Sequence, residues 1–75
     1  MVKLPRITPR KALAALLRAG FYIHQQVGSH INLRHDIKLH LYVTIPNHNR
    51  DLAPKTLKSI ISQAGLAVEE FLKII

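Results

Sequence analysis

The chain has 75 residues, room for one domain and one small hydrophobic core, and at 48% hydrophobic and 20% charged it has the composition of a folded protein rather than a disordered tail. It contains no cysteine, which excludes a disulfide framework, a thiolate zinc finger and a thiol nucleophile. Eleven Lys and Arg against four Asp and Glu give a formal charge of +7, a strong field on so small a surface that favours nucleic acid, an acidic protein or an anionic membrane surface as partner.

The lead-in Met1-Val2-Lys3-Leu4-Pro5-Arg6 is expected to be extended, and it lacks the apolar stretch of a secretory signal. No later run approaches a membrane-spanning length, so a cytoplasmic protein without a membrane partner is expected. Ile7-Thr8-Pro9 reads as a helix start: Thr8 caps, Pro9 suits the first helical position, and Ile7 staples onto Ala12. Leu13, Leu16 and Leu17 form an apolar stripe padded by alanines, and Gly20 is a left-handed cap, which predicts a helix over about 9–19.

Three strand-like runs follow. In 21–25, Phe21 and Ile23 alternate with Tyr22 and His24; in 29–34, Ile31 and Leu33 face opposite to His30, Asn32 and Arg34. In 38–45, Leu39, Leu41, Val43 and Ile45 are expected inward and Lys38, His40, Tyr42 and Thr44 outward. Gln26-Val27-Gly28 and His35-Asp36-Ile37 read as hairpin turns, and 46–51 as a polar loop. A second helix is predicted from Pro54 to before Gly65, burying Leu57, Ile60, Ile61 and Ala64, and a short third one from Val68 to about Leu72. The expected fold is α+β, in the order α-β-β-β-α with a C-terminal helical turn: a three-stranded antiparallel sheet with the helices packed on one face, in a single domain over 1–75.

That packing leaves the other sheet face wet. It collects His24, His30, Asn32, Arg34, Lys38, His40, Tyr42 and Thr44. Cross-strand partners share a face, so the second hairpin pairs even-numbered residues: His30 lies opposite Tyr42 and Asn32 opposite His40, or, one step slipped, His30 opposite Thr44 and Asn32 opposite Tyr42. A lone histidine there is a solvated polar residue by default; a cluster of them beside so basic a balance shifts the odds towards function, without choosing among them. The five histidines lack His-x-His, helical i,i+4 and His-Glu-x-x-His spacing, so no metal site is expected. Lys55 and Lys58 lie in the first turn of the second helix, where a cation opposes the helix dipole at a cost of about 0.3–1 kcal/mol. Lysines beside free N–H groups suit a bound phosphate.

Lys3-Leu4-Pro5-Arg6-Ile7-Thr8, Ala19-Gly20-Phe21, Gly28-Ser29-His30, Ile45-Pro46-Asn47-His48, the run 57–66 from Leu57 to Leu66, and Val68-Glu69-Glu70-Phe71-Leu72 occur in an order that resembles the HicA (YcfA-like) toxins over essentially the whole chain. The resemblance implies a double-stranded-RNA-binding-domain-like fold and an mRNA interferase. It implies His30 as the catalytic residue and a HicB antitoxin that covers the catalytic face; Gly28, Ser29, His40 and Tyr42 are, by their chemistry and place, the residues expected to support His30. Arg34, Lys38, Lys55 and Lys58 are the cations expected to hold RNA. RNA supplies its own nucleophile, the 2′-hydroxyl, so one histidine can serve as the base without cofactor or metal. Gly28 lets the backbone approach a phosphate, and Ser29 is expected to pack inward. Two further functions suit the same charge: a non-catalytic RNA- or DNA-binding module, and a domain that only meets an acidic protein. The free chain is expected to be a monomer.

Overall fold

The computed structural model describes residues 4–75; Met1, Val2 and Lys3, the first part of the expected lead-in, lie outside the described residues. Six elements follow in order: α1 (Pro9–Arg18), β1 (Phe21–Val27), β2 (His30–His35), β3 (Tyr42–Pro46), α2 (Pro54–Gln63) and α3 (Val68–Leu72). The strands form one antiparallel sheet in the order β1-β2-β3. The α+β order expected from the sequence is therefore the observed one.

Helix α1 begins as its sequence dictates. The Thr8 hydroxyl accepts the Lys11 amide at 3.3 Å, Pro9 fills the first turn, and Ile7 is buried behind them. Its buried side is Ala12, Ala15 and Leu16, while Leu13 is half-buried and Leu17 exposed. Of the expected leucine stripe only Leu16 is fully buried; Ala12 and Ala15 share its side, and Leu17 turns to solvent. Ile31 and Leu33 of β2 and Val43 and Ile45 of β3 meet it, with Leu57, Ile60 and Ile61 of α2 and Phe71 of α3 closing the core. Burying such a side chain stabilises the fold by about 1.5–3 kcal/mol each.

Both hairpins differ from the sequence expectation. In the first, Val27 pairs with His30, so the turn is Gly28-Ser29. Gly28 takes φ +57° and Ser29 has no positive φ, the pattern of a type II′ turn with glycine first. Ser29 is exposed, not inward, since it belongs to the turn. Strand β1 carries a bulge between Ile23 and Gln25, which leaves His24 unpaired.

In the second hairpin the third strand starts at Tyr42 instead of Lys38. Residues 36–41 form a loop in which Ile37 and Leu39 are among the most exposed apolar side chains, so Leu39 is not a core residue. The cause is His35. Its Nδ1 accepts the amides of Ile37 (3.1 Å) and Lys38 (2.9 Å), and its Nε2 lies 3.0 Å from the Ala19 carbonyl. These bonds turn the chain out of the sheet as soon as β2 ends. The resulting register pairs His30 with Pro46, Asn32 with Thr44 and Arg34 with Tyr42, neither of the two expected alternatives, although even still meets even. Lys38 and His40 leave the strand and its wet face.

Two hydrogen bonds order the C-terminal segment. Arg18 at the end of α1 donates to the Ile74 carbonyl, its Nε at 3.2 Å. Ala67, which offers no side-chain cap, is compensated by Glu70, whose Oε1 accepts the Ala67 amide at 2.8 Å. Among the described residues no helix is long and apolar enough to cross a membrane.

Candidate functional site

Helix α2 packs beside β3 rather than squarely on the sheet, and its polar side borders the wet face. Spacing explains which residues meet there: Lys55, Ser59 and Gln63 recur at i, i+4 and i+8, one stripe of the helix, while Leu57, Ile60 and Ile61 fill the buried side. Gln63 fastens this arrangement. Its Oε1 accepts the Thr44 amide at 2.9 Å, satisfying a donor on the free edge of β3. On the inner side of the same residue, the Thr44 hydroxyl donates to Asn32 Oδ1 at 3.0 Å. The sheet edge and the helix are therefore held at a fixed separation.

Between them runs an open groove lined by His30, Thr44, Lys55, Ser59 and Gln63 among others. His30 enters it from the first position of β2, directly after the Gly28-Ser29 turn. Its backbone is anchored on both sides: Val27 and Pro46 are its ladder partners, and the Asn47 amide donates to the Ser29 carbonyl at 2.6 Å. The ring is exposed. His30 and Lys55 are the ionisable side chains lining the groove, with Thr56 and Ser59 as hydroxyl donors, while the Thr44 hydroxyl is committed to Asn32. An imidazole, an ammonium and two hydroxyls around an open slot can take a proton and hold an anionic oxygen.

The other expected site residues are distributed along the sheet. Arg34 lies on the wet face with its Cζ 4.8 Å from the centre of the Tyr42 ring, at the end away from His30. Lys38 and His40 stand in the loop beyond that end, so the structure does not bring them to His30. Lys58 is exposed on α2 but does not line the groove. Of the remaining histidines, His35 is a structural residue: two amides point at Nδ1, which therefore carries a lone pair, and the 3.6 Å approach of Asp36 is not an ion pair in that state. His48 accepts the Arg50 amide within its own loop. Among the described residues no three of His, Asp and Glu gather in metal-binding range.

Sequence reasoning placed Thr44 on the wet face without giving it a role, and missed Thr56, Ser59 and Gln63. The helical stripe 55-59-63 was a legible signal; the approach of Thr44 was not, because it depends on the register of the second hairpin. Among proteins of curated function none matches this chain. The family described as HicA toxin of bacterial toxin-antitoxin systems has a sequence model that matches residues 9–66.

Proposed function

Because the chain belongs to the HicA toxin family of bacterial toxin–antitoxin systems, and so acts as a toxin held by an antitoxin, we propose that its toxicity is metal-independent cleavage of mRNA in the groove between β3 and α2. The observation that carries this reading is His30: an exposed imidazole on an anchored backbone, in one groove with Lys55 and the hydroxyls of Thr56 and Ser59. His30 takes the proton from a ribose 2′-hydroxyl, the 2′-oxygen bonds to the adjacent phosphorus, and the bond from phosphorus to the 5′-oxygen breaks. The products are a 2′,3′-cyclic phosphate and a 5′-hydroxyl, the leaving oxygen taking its proton from water. Lys55 and the hydroxyls of Thr56 and Ser59 hold the phosphate oxygens as charge develops on them. Catalysis then comes mainly from positioning, since His30 has no second imidazole in the groove to act as acid.

Arg34 on the sheet and Lys58 on α2 add cations outside the groove that contact RNA, and Gly28 and Ser29 form the turn from which His30 projects. The antitoxin is proposed to be HicB-like and to present acidic residues over the His30 groove, giving fast, salt-sensitive association.

The test is one incubation of the purified protein with RNA, with the same RNA lacking the 2′-hydroxyl at the cleaved position, and with a chelator present. Cleavage of the first alone, unaffected by the chelator and abolished by His30→Ala with unchanged melting temperature, is the expected result. Binding without cleavage would make the protein a nucleic-acid-binding module, and full activity of the variant would remove His30 from the chemistry.

A further inference from the structure

The chain has four aromatic residues of the Phe and Tyr type, and they divide sharply. Phe21 and Phe71 are buried in the core; Tyr22 and Tyr42 stand on the opposite face of the sheet, 43% and 38% exposed. Their placement is a row, not a scatter. Arg34, near the end of the central strand β2, pairs with Tyr22 of β1 on one side and Tyr42 of β3 on the other, so ring, guanidinium and ring follow one another across all three strands. Arg34 Cζ lies over the Tyr42 ring, 4.8 Å from its centre. His24, set free of the ladder by the bulge in β1, meets the Tyr42 ring edge-on at 6.5 Å.

Burial does not explain this row, because among the described residues no element covers Tyr22 and Tyr42. The three strands that make it contain no Asp or Glu, so it accepts an anionic ligand without repulsion. A flat, cationic, ring-bearing surface complements the faces of unpaired bases, which stack on aromatic rings and on guanidinium planes alike. A base inside a duplex offers no free face. From Arg34 to His30 the strand advances four residues, about 13 Å at 3.3 Å per residue. A strand of RNA lying along β2 would thus meet both the row and the groove.

We propose that Tyr22, Arg34, Tyr42 and His24 form a stacking platform for unpaired bases, which directs single-stranded rather than duplex RNA along the sheet towards His30. This rests on the ribonuclease reading above and specifies its substrate class. Arg34, beyond supplying charge, presents a plane.

The test measures binding of a labelled, uncleavable 2′-O-methyl RNA oligonucleotide without internal pairing, and of the same strand annealed to its complement, with melting temperatures confirming that each variant folds. Tighter binding of the single strand by the wild-type chain is expected. Tyr22→Leu and Tyr42→Leu should each weaken single-strand binding roughly 5- to 150-fold without changing its salt dependence. Tyr22→Phe and Tyr42→Phe should retain it. Arg34→Lys, which keeps the charge and loses the plane, should weaken it as well. Equal affinity of the leucine variants and the wild type would overturn the proposal, and so would phenylalanine variants as weak as the leucine ones. Loss of antitoxin binding with RNA binding intact would assign the row to the protein partner instead. The probe cannot be cleaved, so the two readings fail separately. Ring-dependent binding in a protein that cleaves no RNA sinks the ribonuclease reading alone; cleavage with ring-independent binding sinks the platform alone.

Discussion

Gly20 and His35 interlock, and a double-mutant cycle on them tests the central claim about how the sheet acquires its register. Gly20 takes φ +101°, and a Cβ built on it would lie 2.8 Å from His35 Nε2, inside any real contact distance. His35 itself donates from Nε2 to the Ala19 carbonyl, accepts two loop amides at Nδ1, and sets its ring edge-on against Phe21 at 4.9 Å. Removing the ring in His35→Ala forfeits three hydrogen bonds at about 0.5–1.5 kcal/mol each, with the loop amides recovering water, and an aromatic contact of similar size. A loss of about 2–4 kcal/mol follows. That is a large share of the roughly 4–11 kcal/mol expected for 75 residues.

Gly20→Ala costs about 1–3 kcal/mol for the left-handed backbone alone, and more because the new methyl group displaces the His35 ring. In a His35→Ala background the ring is already absent, and only the backbone cost remains. Urea unfolding followed by far-ultraviolet circular dichroism should therefore show the double variant less destabilised than the two single losses combined, by about 1–2 kcal/mol. Additivity within about 0.5 kcal/mol would show that the ring does not seat against Gly20, and would refute the account of why β2 ends at His35. The same variants separate structural from functional histidines. His35→Ala should lose stability and slow cleavage together, through the register that shapes the groove, whereas His30→Ala should keep its stability and lose cleavage.

Replacing Lys55 by Gln should lower the log–log salt dependence of RNA binding by about one unit and slow cleavage, while Lys58→Gln should lower the salt slope alone, because only Lys55 lines the groove with His30. Equal effects of the two on cleavage would count against the groove as the reaction site. Gln63→Leu strands the Thr44 amide at the sheet edge and should cost about 1 kcal/mol in urea unfolding; wild-type stability would mean that water reaches the edge unaided. The antitoxin should raise the melting temperature of the toxin by binding only its folded form, with hydrogen exchange slowed across 30–46 and around Lys55. Protection confined to α1 and α3 would rule out occlusion of His30.

Much of this protein was legible along the chain because the signals are local. Thr8, Pro9 and Gly20 bracket α1 by their own backbone chemistry, Pro54 and Gly65 bracket α2, and the period-two alternation through Ile31 and Leu33 fixes which face of β2 is wet. Hence His30, Arg34 and Tyr42 were recognisable as sharing an exposed surface, and the family resemblance selected His30 among them. What the chain could not specify by itself was the second hairpin. The pattern of Leu39, Leu41, Val43 and Ile45 suits a strand, but His35 takes the amides that would have continued it, using the Ala19 carbonyl sixteen residues earlier as its anchor. That contact exists only once α1 and the sheet have docked. It moves the register, carries Lys38 and His40 off the wet face, and brings Thr44 to Gln63. The groove beside His30 was decided there, because the positions of α2 and β3 relative to each other depend on bonds between residues far apart in sequence, which no local pattern encodes.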